Sequence, residues 1–193
     1  MNLNIKSLLL FFLIFWSCFK QDDPKIFKRI IHDFENFKPF DDSKYLLGDF
    51  SEERFKRENL FYKKIYERLL KINKNLVSEQ DKISYELLTF IIKKKLVDFN
   101  FKTHYNPILS DAGFHNNLVY RVKKISNVEQ ALNYIKTLEQ IPNFVRQNIE
   151  LISKGLEMGI SQPKIIFDDY NTTYEKHITS SYKKNFYYSP FLK

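Results

Sequence analysis

Apolar residues recur along this chain at helical spacing and do not alternate strictly anywhere. After Asp23-Pro24, the residues Ile26, Phe27, Ile30, Ile31, Phe34 and Phe37 fall on one helical stripe, which is how one buried helix face reads in sequence. Asp23 is placed to cap that helix, Pro24 suits its first turn, and Pro39 marks its end. A second helix opens at Ser51 and carries Phe55, Tyr62, Ile65, Leu69 and Ile72 on its inner side. A third opens at Ser78, with Asp81 as the reciprocal partner of a capping box and Ile83, Leu87, Phe90 and Ile91 as the predicted buried face. Lys93, Lys94 and Lys95 follow near its end, where cations complement the helix dipole.

Asn127 and Gln130 begin a fourth helix, with Ala131, Leu132, Ile135 and Leu138 inward. Pro142 starts a fifth, with Val145, Ile149, Ile152 and Leu156 inward and Gly159 as its C-terminal stop. A sixth follows Pro163 through Ile166, Tyr170 and Tyr174. The pattern predicts an all-α fold of antiparallel helical hairpins. Only the segment FNFKTHYNPILSDAGFHNNLVYRVKKIS lacks a stripe. It carries Pro107 and Gly113 together with many aromatic and apolar residues. A stretch of that length and composition predicts irregular chain packed along a surface or a cleft.

The N-terminus has a different pattern. Leu8 to Trp16 is an unbroken run of nine apolar residues, short of the roughly 20 that a helix needs to cross a bilayer. The run suits the apolar core of a signal peptide behind Lys6. Ser17 then precedes Cys18, the only cysteine, and this junction resembles a bacterial lipobox. The expectation is a signal peptide over 1–17, a lipidated Cys18 as the first mature residue, a tether over 18–23 and a helical region over 24–193. The protein would then be exported and held at the cell envelope by a lipid anchor in the membrane. A plain signal peptide with a leftover cysteine and an ordinary buried helix are the alternatives. A lone cysteine excludes an intrachain disulfide.

The formal net charge is +8, from 31 Lys and Arg against 23 Asp and Glu. Only six of the basic residues are Arg, and they are scattered, so the residue type preferred by base and phosphate readers is sparse. This reads as a solvated basic surface and not as a nucleic-acid interface. The four histidines, His32, His104, His115 and His177, stand apart in sequence, without an HExxH pair or a nucleophile elbow. No catalytic, cofactor-binding or metal-binding residue can be named from these patterns.

Three segments do carry a resemblance. SEQDKISYELL, SDAGFHNNLVYRV and VEQALNYIKTLEQIPNFVRQNIELISKGLEMGISQPKIIF, in this order, resemble the N-terminal part of the bacterial family called domain of unknown function 885. Leu47-Gly48-Asp49 is similar to that family's early glycine turn, and the likeness runs roughly from Ile26 to Lys193. Members of the family are frequently exported lipoproteins similar to gluzincin metallopeptidases. The resemblance implies the N-terminal portion of a larger, mostly helical, zincin-like fold. The family's zinc ligands belong to its C-terminal part, so zinc is expected only in full-length members and no residue here inherits a catalytic role. Gly113, Phe114 and His115, at a tight turn, become candidates for lining a substrate cleft.

Two functions follow as expectations. One is a truncated, non-catalytic helical portion of a metallopeptidase-like lipoprotein, inactive alone, whose partners are a peptide substrate or a missing C-terminal half. The other is a self-sufficient lipid-anchored binding or scaffolding module. In the first case, aromatics outside the helical stripes should face water: Phe61, Tyr66, Phe114, Phe144, Phe186, Tyr187, Tyr188 and Phe191.

Overall fold

The computed structural model describes residues 23–109, 112–119, 122, 124–167, 178–179 and 181–191. Cys18 and the whole leader lie outside the described residues. Among the described residues the α-helices are α1 (Asp23–Glu35), α2 (Glu52–Leu69), α3 (Glu79–Asn100), α4 (Phe114–Val119), α5 (Val128–Glu139) and α6 (Ile141–Glu157). The protein is all-α, as its stripes predict. Among the described residues the extended pairing is a minimal antiparallel ladder, β1 (Ile108–Leu109) with β2 (Ala112–Gly113), in the register Ile108 to Gly113.

The helix ends form where the sequence supplies the groups that their orphan N–H donors need. At α2, Ser51 Oγ accepts the Arg54 N–H at 3.3 Å. At α3, Ser78 Oγ accepts the Asp81 N–H at 3.1 Å and donates to the Asp81 carboxylate at 2.7 Å. At α5, Asn127 Oδ1 accepts the Gln130 N–H at 2.8 Å, and Gln130 Oε1 accepts the Ser126 N–H at 2.9 Å. Gly159 (φ +74°) ends α6, and Ile160 donates back to the Gly155 carbonyl at 2.8 Å. That six-to-one bond is the Schellman closure, which favours glycine at the left-handed position. Asp23 does something else. It is buried at the start of α1, and its carboxylate accepts the Asn73 N–H at 3.3 Å.

The chain divides into two units. The first comprises the described residues up to Phe37 together with Lys64–Ile92. It buries Phe27, Ile30, Ile65, Leu69, Ile72, Val77, Tyr85, Leu88 and Ile92. The Tyr85 hydroxyl donates to the Leu69 carbonyl at 3.1 Å, so this polar tip is satisfied inside an apolar setting.

The second unit comprises Lys38–Lys63 and the described residues from Lys93 onward. Its core cluster is Leu47, Ile108, Phe114, Leu118 and Phe144. The stripeless segment therefore supplies three of these five side chains. Burial of Phe114 and Phe144 corrects the expectation that they face water. Tyr188 and Phe191 are exposed as expected, and Phe61, Tyr66, Phe186 and Tyr187 are half-buried.

Three predicted stripes are out of phase. On α3 the buried face is Tyr85, Leu88, Thr89 and Ile92, whereas Ile83 (65%) and Phe90 (67%) are exposed together with Leu87. Apolar residues occupy both sides of this helix, so spacing alone offers two stripes. On α5, Tyr134 is buried, and Leu132 and Ile135 are exposed. On α6 the inner face is Phe144, Gln147, Asn148, Leu151 and Gly155, while Ile149 and Leu156 are exposed. Polar and small residues on the buried side misdirect any reading by hydrophobicity. Beyond Pro163 the chain forms a 3-10 turn, Lys164–Phe167, and the rest of the expected sixth helix, with Tyr170 and Tyr174, lies outside the described residues.

Candidate functional site

Two glutamines, Gln140 directly before α6 and Gln147 on its inner face, act on the loop before α2. Gln140 accepts the Leu46 N–H with Oε1 at 2.8 Å and donates from Nε2 to the Lys44 carbonyl at 2.9 Å. Gln147 repeats the device, accepting the Phe50 N–H at 2.9 Å and donating to Asp49 Oδ1 at 3.2 Å. Between these clamps sits Gly48 at φ +94°, where an added Cβ would lie 2.9 Å from the Phe50 ring. The turn thus needs glycine for its backbone conformation. The buried Asp49 also accepts the Ser51 N–H at 2.9 Å, and its carbonyl accepts Arg54 Nε at 2.7 Å. The result is a fixed placement of Phe50 and Arg54, with the Phe50 ring edge-on to Phe144 at 5.1 Å.

Those two residues open onto a cleft of about 330 Å³, lined also by Phe55, His104, Asn106, Pro107, Gly113, Phe114, Asn148 and Leu151. A second hollow of about 230 Å³ shares Arg54, Phe55 and His104 with it and adds Glu58, Asn59, Tyr62, Lys95, Asp98, Phe99 and Thr103. The shared residues are tightly ordered. His104 stacks on Phe55 at 4.7 Å and on Phe99 at 5.1 Å, nearly parallel to the latter. The Arg54 guanidinium lies 3.8 Å from the Phe55 ring centre and pairs with Glu58. Burial, and secondarily the Arg54 charge, push the His104 imidazolium down to a pKa of about 4. The ring is therefore neutral at physiological pH.

Asn148, on the wall of the larger hollow, and Asn59, on the wall of the smaller, each keep a buried carboxamide oxygen without a partner among the described residues. Asn148 is fully buried, and its Nδ2 donates to the Phe144 carbonyl at 2.8 Å, which fixes which end is the acceptor. Buried polar atoms are rarely left this way.

Gly113 and Phe114, expected to line a substrate cleft, lie on the wall of the larger hollow, and Phe114 serves the core as well. His115 belongs to α4, but its side chain lies outside the described residues, as does Cys18. Arg54, His104 and Asn148 are the site residues that sequence reasoning missed. His104 stands apart from the other histidines in sequence, and its aromatic neighbours Phe99 and Tyr105 are the signal that the sequence offers. Among the described residues no three His, Cys, Asp or Glu side chains gather where they could hold a metal ion. No described helix is long and apolar enough to cross a membrane.

A family model described as bacterial protein of unknown function (DUF885) matches residues 38–192. The chain belongs to that family. The match bears out the resemblance carried by the glycine turn and the three longer segments. It spans the cleft and all of the second unit's core. No curated protein and no solved structure matches the chain.

Proposed function

We propose that this DUF885 protein is the helical, non-catalytic portion of an exported, lipid-anchored, metallopeptidase-like protein, and that its second unit contributes one wall of a peptide-binding cleft. The observation that carries the reading is the cleft itself. Its walls are aromatic and its few polar groups are held in place, which is how small-molecule and peptide sites are commonly built. In this reading Cys18 carries the anchor, and zinc chemistry belongs to a metal-bearing part that meets this wall.

Two measurements test it. Fatty-acid labelling of cells should mark the wild-type chain and not Cys18→Ser; equal labelling of both removes the anchor. The purified chain should bind unstructured peptides without cleaving them, with or without added zinc. Metal-dependent cleavage by the chain alone would falsify the non-catalytic assignment.

A self-sufficient binding module is the second reading, and the closed cluster of Leu47, Ile108, Phe114, Leu118 and Phe144 favours it. A sharp two-state melt of a monomer, without binding of dyes that report exposed apolar surface, supports that reading over the first.

A further inference from the structure

Helix α3 carries a second apolar face that its own packing does not use. Tyr85, Leu88, Thr89 and Ile92 are buried, whereas Ile83, Leu87, Phe90, Val97 and Phe101 are between 48% and 76% exposed. Those five, with Lys94 among them, follow one another at spacings of four, three, four, three and four residues. That is the two-position seam of a coiled coil, sustained through six positions over about 27 Å of helix. Phe101 lies just past Asn100, yet its N–H bonds the Val97 carbonyl at 2.9 Å and keeps the helical phase. The outer side of a helix is ordinarily polar, and a contiguous apolar stripe there marks an interaction surface.

The spacing reads the same in both directions, and this selects the partner. Laid antiparallel against a second copy of α3, Ile83 meets Phe101, Leu87 meets Val97 and Phe90 meets Lys94. A two-fold axis makes each pairing occur twice. The Lys94 ammonium, which pairs with Asp98 at 2.8 Å, then comes to rest beside a phenylalanine ring, a setting that attracts a cation. In a parallel pair Lys94 would meet its own copy inside an apolar seam, where like charges repel most strongly. The five apolar side chains expose on the order of 500 Å² per chain, so two seams together bury about 1,000 Å², the size at which specific interfaces begin. We propose that the chain forms an antiparallel dimer through α3, with a second copy of itself as the partner. The contact uses no residue that lines either hollow, and it depends on neither the lipid anchor nor a metal-bearing part.

Sedimentation of the purified full chain between about 1 and 100 μM should show a reversible monomer–dimer equilibrium, with a Kd in the micromolar range. Leu87→Lys and Val97→Glu each set a charge against an apolar side chain, twice per dimer. Each alone should weaken association by about 100-fold or more. Both positions are exposed in the single chain, so helical circular dichroism should be unchanged. Mixing the two variants in equal amounts should restore association, because the new lysine then faces the new glutamate across an antiparallel seam. In a parallel pair the two charges fall in different layers, and mixing restores nothing. If either variant loses its helicity, Ile83→Lys mixed with Phe101→Glu repeats the test at the outer layer. A wild-type chain that stays monomeric at the upper concentration overturns the proposal, whether its seam binds apolar dyes or is shielded by the leader. A dimer indifferent to Leu87→Lys, as one held by the leader would be, overturns it too. So does a mixture of variants that fails to associate.

Discussion

In the first unit Ile65, Leu69 and Ile72 are buried at the spacing their sequence displays, whereas in the second the inward face of α6 carries Gln147, Asn148 and Gly155. The first unit buries mostly apolar side chains, and Tyr85 finds a carbonyl for its hydroxyl. The second spends buried positions on amides that hold a loop and on a glycine that admits a neighbouring backbone. Sites of function are where a fold departs from its own local rules. By that criterion the second unit is built around its cleft, and the first around its packing.

The comparison can be broken most directly at its apolar end. Leu69→Ala should cost about 2–5 kcal/mol, the range for a fully buried leucine, read by denaturant unfolding. A loss below about 1 kcal/mol would mean that the first unit relaxes around the cavity and is not tightly packed.

Gly155→Ala tests the close approach in the second unit. Its new Cβ would lie 2.7 Å from the Tyr105 carbonyl oxygen and 3.3 Å from that of Ile160. Backbone gives way poorly, so a loss of about 1–3 kcal/mol is expected, although alanine is ordinarily favoured by about 1 kcal/mol inside a helix. A stabilised variant in a thermal melt would show that the approach is loose.

Gln147→Leu removes the acceptor of the Phe50 N–H and the donor to Asp49, for an expected loss of about 1–3 kcal/mol. Hydrogen exchange at Phe50 should accelerate more than exchange within α1. Uniform acceleration across both units would erase the distinction between them.

The smallest effect at neutral pH is expected from His104→Phe, which keeps the stack on Phe55 and Phe99. An unfolded histidine takes up a proton below about 6.5, while the folded ring stays neutral down to about 4. Stability from the neutral ring is therefore complete above 6.5 and is lost as the pH falls from there through about 4. Melting temperature should drop more steeply over that window in the wild type than in the variant. Parallel profiles would mean that His104 titrates freely.

Much of the architecture was legible. Ser51, Ser78, Asn127 and Gly159 all mark helix ends, because capping is a local matter of one side chain and a few N–H groups. The family was legible too, from the glycine turn and three segments. The site was harder to see. Ile149 and Leu156 look inward by hydrophobicity, yet Asn148 and Gly155 take the inner face, since partners in the loop and beside Tyr105 decide the phase of α6. Those partners are distant in sequence, and no window along one helix contains them. His104 looked like a lone histidine for the same reason, since Phe55 reaches it from another helix.

The glutamine clamps also impose a timetable. Leu46 waits for Gln140, 94 residues downstream, and Phe50 for Gln147, 97 residues downstream. At about 5–20 residues per second of synthesis, the loop stays unfastened for about 5–20 s after it is made. Every residue assigned to the first unit has been polymerised by Ile92, well before either glutamine. On a ribosome, the first unit can therefore settle while the second still lacks its fasteners, and a chaperone that meets the nascent chain should find the loop around Gly48 open.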